Sequence, residues 1–195
     1  MTSDMTPDTE LGPLLERGFA AWHGKELARA HAIFKAACAR RPSHPDAWRG
    51  LGSVEWSLKR FDRSLAAFRK GLELDPYNPM HWSTVGVALR DLKRYNEALN
   101  VFSVALRLDP EHHAAWNESA NVLLDMGRFS SALPRYDRAI ELCPRMAVYH
   151  HNRGECYFRM GNAELARRNF KAAVAIDSKY RYSIARLREL AARGV

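Results

Sequence analysis

Along most of the chain apolar residues return every three or four positions, break at a glycine, a proline or a short polar run, and begin again. The stretches Trp48 to Leu58 and Arg63 to Leu74 set the pattern. Each gathers its apolar groups on one side at helical spacing, so each is predicted to be an amphipathic helix, and the two together a helical hairpin.

The hairpin recurs with a fixed period. Trp48, Trp82 and Trp116 are 34 residues apart, and so are Pro42, Pro76, Pro110 and Pro144. The same spacing joins Phe34, Phe68, Phe102, Tyr136 and Phe170, then Ala30, Ser64, Ala98, Ala132 and Ala166. It also joins Gly18, Gly52, Gly86, Ala120 and Gly154, and Ala37, Gly71, Ala105, Ala139 and Ala173. Small residues at fixed places let two helices approach, and aromatic residues fill the space between them. Asp75-Pro76 and Asp109-Pro110 close second helices, because proline has no N–H to continue the ladder and turns its predecessor away from helix. Gly127 and Gly161 fall in the turn inside a hairpin, where a left-handed cap suits glycine.

Phased on the prolines, the repeats run 11–44, 45–78, 79–112, 113–146 and 147–180. Trp48, Leu51, Gly52, Phe68 and Pro76, followed by Trp82, Gly86, Leu89, Ala98, Phe102 and Pro110, resemble the tetratricopeptide repeat. The resemblance implies an all-α, right-handed superhelical solenoid of helix-turn-helix units. Residues 181–195, with Ile184, Leu187, Leu190 and Ala191 on one side, are expected to form a capping helix, and residues 1–10 a disordered leader. The departures are Leu14 and His150 at the tryptophan place, Ser178 for the closing proline, Glu55 at an apolar place, and Pro134 early in a second helix.

Composition narrows the function. The chain of 195 residues is 47% hydrophobic and 10% aromatic, which excludes general disorder. No signal peptide or membrane span is visible, and Cys38, Cys143 and Cys156 form no disulfide framework, so the expected location is the cytoplasm. The formal charge of +8 is concentrated at the end: from Arg145 onward 11 Lys and Arg face 4 Asp and Glu, which favours an acidic partner. There is no phosphate loop, no Gly-x-Ser-x-Gly, and no close Cys or His spacing around His112, His113, His150 or His151. No catalytic residue, cofactor or metal is assigned, and the chain reads as a non-enzyme.

The resemblance implies a concave groove lined by first helices, with positions 2, 5, 6, 9, 12 and 13 of each repeat facing it. Those places hold Arg49, Trp56, Arg90, Asn117, Asn121, Leu124, Asn152, Phe158 and Arg159, and in the capping helix Tyr182 and Arg186. These are the candidate peptide-binding residues. Members of the family that bind chaperones grip a C-terminal carboxylate from five such places. Asn121, Asn152 and Arg186 match three of them, while Asn117 and Tyr182 lack the required charge. The expected role is a protein-protein interaction module, an adaptor, scaffold or co-chaperone, that holds a partner's peptide segment. The alternative is a substrate-recognition subunit of an enzyme or secretion complex, or nucleic-acid binding through the basic C-terminal quarter. The oligomeric state stays open.

Overall fold

A computed structural model describes residues 11–194; the expected leader, 1–10, lies outside the described residues. Eleven helices follow in order: α1 (Leu11–His23), α2 (Leu27–Arg40), α3 (Pro45–Ser57), α4 (Phe61–Leu74), α5 (Pro79–Asp91), α6 (Tyr95–Leu108), α7 (His113–Asp125), α8 (Phe129–Leu142), α9 (Ala147–Arg159), α10 (Ala163–Ile176) and α11 (Arg181–Ala192). Among the described residues there is no strand. The helices form two compact units, the first ending at Arg94 and the second beginning at Tyr95. In each unit every helix packs on the next in sequence, as an α-solenoid of helical repeats requires.

The core repeats with the sequence. Phe34, Phe102, Tyr136 and Phe170 are fully buried and Phe68 nearly so, and Ala30, Ser64, Ala98, Ala132 and Ala166 are sealed beside them. Each such ring contributes about 1.5–3 kcal/mol of hydrophobic stabilisation. The glycine register makes room for the rings. A Cβ on Gly52 would stand 2.5 Å from the Phe68 ring, one on Gly18 2.8 Å from Phe34, and one on Gly154 2.6 Å from Phe170. Polar departures inside this core come with partners: the Ser64 hydroxyl donates to the Gly52 carbonyl at 2.9 Å. The Tyr136 hydroxyl donates to Asn121 Oδ1 at 2.7 Å.

Each hairpin turn is built alike. The amides of Glu26, Arg60, Arg94, Arg128 and Asn162 reach back to the carbonyls of Ala21, Glu55, Leu89, Leu123 and Tyr157 at 2.8–2.9 Å. These bonds satisfy carbonyls that the helix end leaves open. The residue before each such amide is left-handed. Gly127 and Gly161 take this place in the last two repeats, with φ of 73° and 81°, and Lys25, Lys59 and Lys93 take it in the first three, with φ near 60°. Between repeats, the indole Nε1 of Trp48, Trp82 and Trp116 donates to the carbonyls of Pro42, Pro76 and Pro110 at 2.7–2.9 Å. His150 keeps the bond where tryptophan is missing, its Nε2 lying 2.9 Å from the Pro144 carbonyl. Helix α8 runs on through Pro134 without a break.

Glu55 has an explanation in the fold. Its register holds Leu89 and Leu123 in the next repeats, and the register of His31 holds Leu65, Leu99 and Leu133. The two departures meet: His31 Nε2 lies 2.8 Å from Glu55 Oε1, and Arg60 Nη1 lies 3.4 Å from Oε2. One polar pair replaces a leucine pair in the seam between α2 and α3.

Two stability measurements follow from these contacts. In urea titrations His31→Leu alone should cost about 1–3 kcal/mol, because it strips a buried carboxylate of a partner. The double change His31→Leu, Glu55→Leu should be at least as stable as the parent chain. Lys59→Gly should raise the melting temperature, gaining about 0.5–1 kcal/mol from relief of the left-handed strain, and Gly127→Lys should lower it.

Candidate functional site

In the first unit the candidate groove residues are tied across successive first helices. Trp22 Nε1 donates to Ser57 Oγ at 2.8 Å, and one repeat later Trp56 Nε1 donates to Asp91 Oδ2. The two bonds are the same link, position 12 of one repeat to position 13 of the next. Trp22 packs against the core, whereas the Trp56 ring is 37% exposed and held by its one polar atom. Arg49 donates to Asp46 at 2.8 Å and lies over the Phe19 ring at 4.8 Å. Arg90 stands 3.6 Å from Asp91.

In the second unit the predicted amides are engaged with one another. Asn152 Nδ2 donates to Asn117 Oδ1 at 3.0 Å, and Asn117 is buried at 2% exposure. Asn117 and Asn121 both donate to the Glu118 carboxylate at 3.2 Å, and Asn121 also receives the Tyr136 hydroxyl. Leu124 belongs to the core cluster of Leu123, Tyr136 and Cys156. Arg159 is exposed, its guanidinium 5.3 Å from the centre of the Phe129 ring.

Arg186 holds the capping helix to the last repeat. Its guanidinium meets both oxygens of Glu155, at 2.5 and 2.9 Å, and Glu189 Oε2 at 2.6 Å. It also lies 4.6 Å above the Phe158 ring, with Arg193 at 5.2 Å from the same ring. A bidentate guanidinium-carboxylate pair over an aromatic face is the strong, oriented form of this contact. The repeat register puts Arg186 on the correct helix face but gives no sign of Glu155 as its counter-ion, which lies 31 residues back.

Around this pair is a cavity of about 460 Å³, lined by His151, Glu155, Tyr182, Ala185, Arg186 and Glu189. Tyr182 is 54% exposed at its edge, in ring contact with His151 and Tyr180. Of the eleven candidates, Tyr182 and Arg186 line this cavity, and His151, Glu155 and Glu189 complete it.

Comparison with known proteins decides the family. A tetratricopeptide-repeat family model matches residues 15–79 and 86–124, and a second matches 111–179. The chain belongs to the tetratricopeptide-repeat family. Comparison with curated proteins gives no match. Among solved structures, the chain is similar to TTC0263, a tetratricopeptide-repeat protein of Thermus thermophilus, at 18% identity and TM-score 0.83, covering 92% of this chain and 98% of that one. It is also similar to Pseudomonas aeruginosa PilF, at 19% identity and TM-score 0.78, covering 95% and 89%. YrrB, described as having an unusual peptide-binding site, matches at 22% identity and TM-score 0.62, covering 92% of each chain. Tetratricopeptide-repeat proteins are, as a family, interaction modules that bind proteins or peptides, and the fold is typically a non-catalytic scaffold.

Burial pushes the thiols of Cys38 and Cys156 up to about 11, far from the thiolate that nucleophilic chemistry needs. Among the described residues no three His, Cys, Asp or Glu side chains gather as a metal site, and no helix is long and apolar enough to cross a membrane. Burial lowers His81 against the pull of Asp46 and Asp75, with Arg49 adding to the lowering. It lowers His151 against Glu155, with Arg186 adding to the effect.

These two histidines give the chain a pH dependence. The unfolded chain takes up their protons near pH 6.5 while the fold resists, so this stability is full above that pH and is lost as pH falls. The melting temperature should therefore drop between pH 7.5 and 5. His81→Ala, which restores the alanine that Ala47 and Ala115 hold in the same register, should shrink the drop.

Proposed function

We propose that this chain is an adaptor or scaffold that holds an extended peptide segment of a partner protein against its first helices and catalyses no reaction. The observation that carries the reading is the cavity at His151, Glu155, Tyr182 and Arg186, which sits on groove-register positions and offers an exposed aromatic ring beside fixed polar groups. Hot spots of peptide recognition combine these features, an aromatic anchor and oriented hydrogen-bonding partners. Trp56, pinned by Asp91 and partly exposed, supplies a second anchor in the first unit.

The occupant that fits best is an internal segment rather than a free C terminus. Of the five carboxylate-grip places, only Arg186 is cationic, and three of its N–H groups are committed to Glu155 and Glu189. Capturing a ligand carboxylate there means competing with two carboxylates already in place. A co-chaperone role built on that grip is therefore the weaker form of the proposal.

The test starts from peptides selected on the immobilised chain from a displayed random library, with affinity measured by calorimetry. Tyr182→Ala, at an exposed residue, should leave helicity unchanged and weaken the selected peptides by about tenfold or more. Unchanged affinity in both Tyr182→Ala and Trp56→Ala would overturn the groove reading.

A further inference from the structure

The excess positive charge of the second unit does not lie in the groove register. There the acids Glu118, Asp125, Glu155 and Glu189 outnumber Arg159, Arg186 and Arg193. The remaining cations sit elsewhere, and one set of them lines a crevice between α9 and α10. This cavity, about 430 Å³, is lined by His150, Arg153, Tyr157, Leu165, Arg168 and Asn169 among others. Its α9 residues occupy positions 4, 7 and 11. At about 100° per residue these point to the side of the helix opposite the groove positions.

The same crevice in the first unit is an internal comparison. Between α3 and α4 the matching positions hold Trp48, Leu51, Glu55, Arg63, Ala66, Ala67 and Lys70 in a cavity of equal volume. One hundred and two residues on, Trp48, Leu51, Ala66 and Ala67 have become His150, Arg153, Arg168 and Asn169, while Glu55, Arg63 and Lys70 have become Tyr157, Leu165 and Ala172, so three repeats later the acid is gone from the lining and its two cations stand at different positions. Arg153 is fixed there: its Nε donates to Asn169 Oδ1 at 2.7 Å and its Nη1 to Asp137 Oδ1 at 2.5 Å. Asn169, buried at 4% exposure, is itself anchored to the Leu165 carbonyl at 2.8 Å. Two of the five N–H groups of Arg153 are thus used to orient it, and the rest are left for another acceptor. His150 donates to Pro144, and its Nδ1 is buried without a hydrogen-bond partner. Arg168 is exposed in the lining.

Repeat four continues the pattern. Arg135 stands one period before Asn169 and so occupies the corresponding crevice position on α8. Burial and the neighbouring Arg128 lower its guanidinium, and no carboxylate offsets them.

We propose that the α9–α10 crevice is a second docking surface that takes an acidic segment of a partner protein. Carboxylate side chains would meet Arg168 and the open N–H groups of Arg153, and an apolar neighbour would rest on Tyr157 and Leu165. Asp137, bonded to Arg153 beside the crevice, favours a polypeptide with spaced carboxylates over an uninterrupted phosphate backbone. The surface stands apart from the groove site and does not depend on it.

The probe is a fluorescein-labelled peptide of Glu-Glu-Leu repeats, followed by anisotropy with the full chain, alongside a labelled deoxythymidine decamer. The parent chain should bind the peptide with affinity that falls as salt rises. Arg168→Gln should weaken it severalfold at unchanged helicity. Tyr182→Ala should leave this binding intact while losing the groove ligands, which separates the two sites. Failure of the parent chain to bind the peptide, or equal binding by the Arg168→Gln variant, would overturn the proposal. So would tighter binding of the decamer with the same loss in that variant, because that result would make the crevice a nucleic-acid surface.

Discussion

The close approach of a first helix to the aromatic ring of its second is the contact on which the other contacts of each repeat depend. Gly18, Gly52 and Gly154 leave no room for a Cβ above Phe34, Phe68 and Phe170, so in these repeats a side chain there would push helix and ring apart. That approach sets where the hairpin turn must close, and the same backbone bonds then recur in every turn. It also sets where the next helix begins, within reach of the tryptophan or histidine that bonds the preceding proline carbonyl. In α11 the glycine register holds Arg188, which is exposed.

Polar residues enter this framework in matched pairs. His31 with Glu55, Tyr136 with Asn121, and Ser64 with the Gly52 carbonyl each place a donor against an acceptor where other repeats have apolar groups. An unpaired polar atom there would cost more than the pair contributes, so the two changes are linked across the seam. The pairing has a consequence for recognition. Asn121 stands in a groove register, yet its oxygen serves a buried tyrosine, so its amide is a structural partner before it is a ligand contact. Asn117 and Asn152 are committed to each other in the same way.

Much of the fold was legible because its signals are local or periodic. Small and aromatic registers, prolines between units and the glycine turns at Gly127 and Gly161 follow from residue type at a fixed spacing, and they carry the helical-repeat class. Lys25, Lys59 and Lys93 escaped that reading, since lysine does not announce a left-handed backbone; only their place, one period apart from Gly127, could have marked them. The site was less legible. Register assigns a helix face, and Tyr182 and Arg186 line one cavity, but register does not identify the counter-ion. Glu155 lies nearly one period from Arg186, and nothing in either residue's local sequence declares the pair.

Net charge is likewise a poor guide to where a partner binds. The basic last quarter suggests a positive groove, but the groove register spends Arg186 and Arg193 on Glu155, Glu189 and the Phe158 ring. What remains there is a nearly neutral, directional surface, suited to hydrogen bonding and aromatic contact, whose affinity should depend weakly on ionic strength. The second-helix side keeps Arg168 exposed in its crevice, and interactions there are screened over about 10 Å at 0.1 M salt. Salt response therefore distinguishes the two faces physically: a partner lost steeply with salt is held by the arginines outside the groove, and a partner that persists is held by the rings and amides within it.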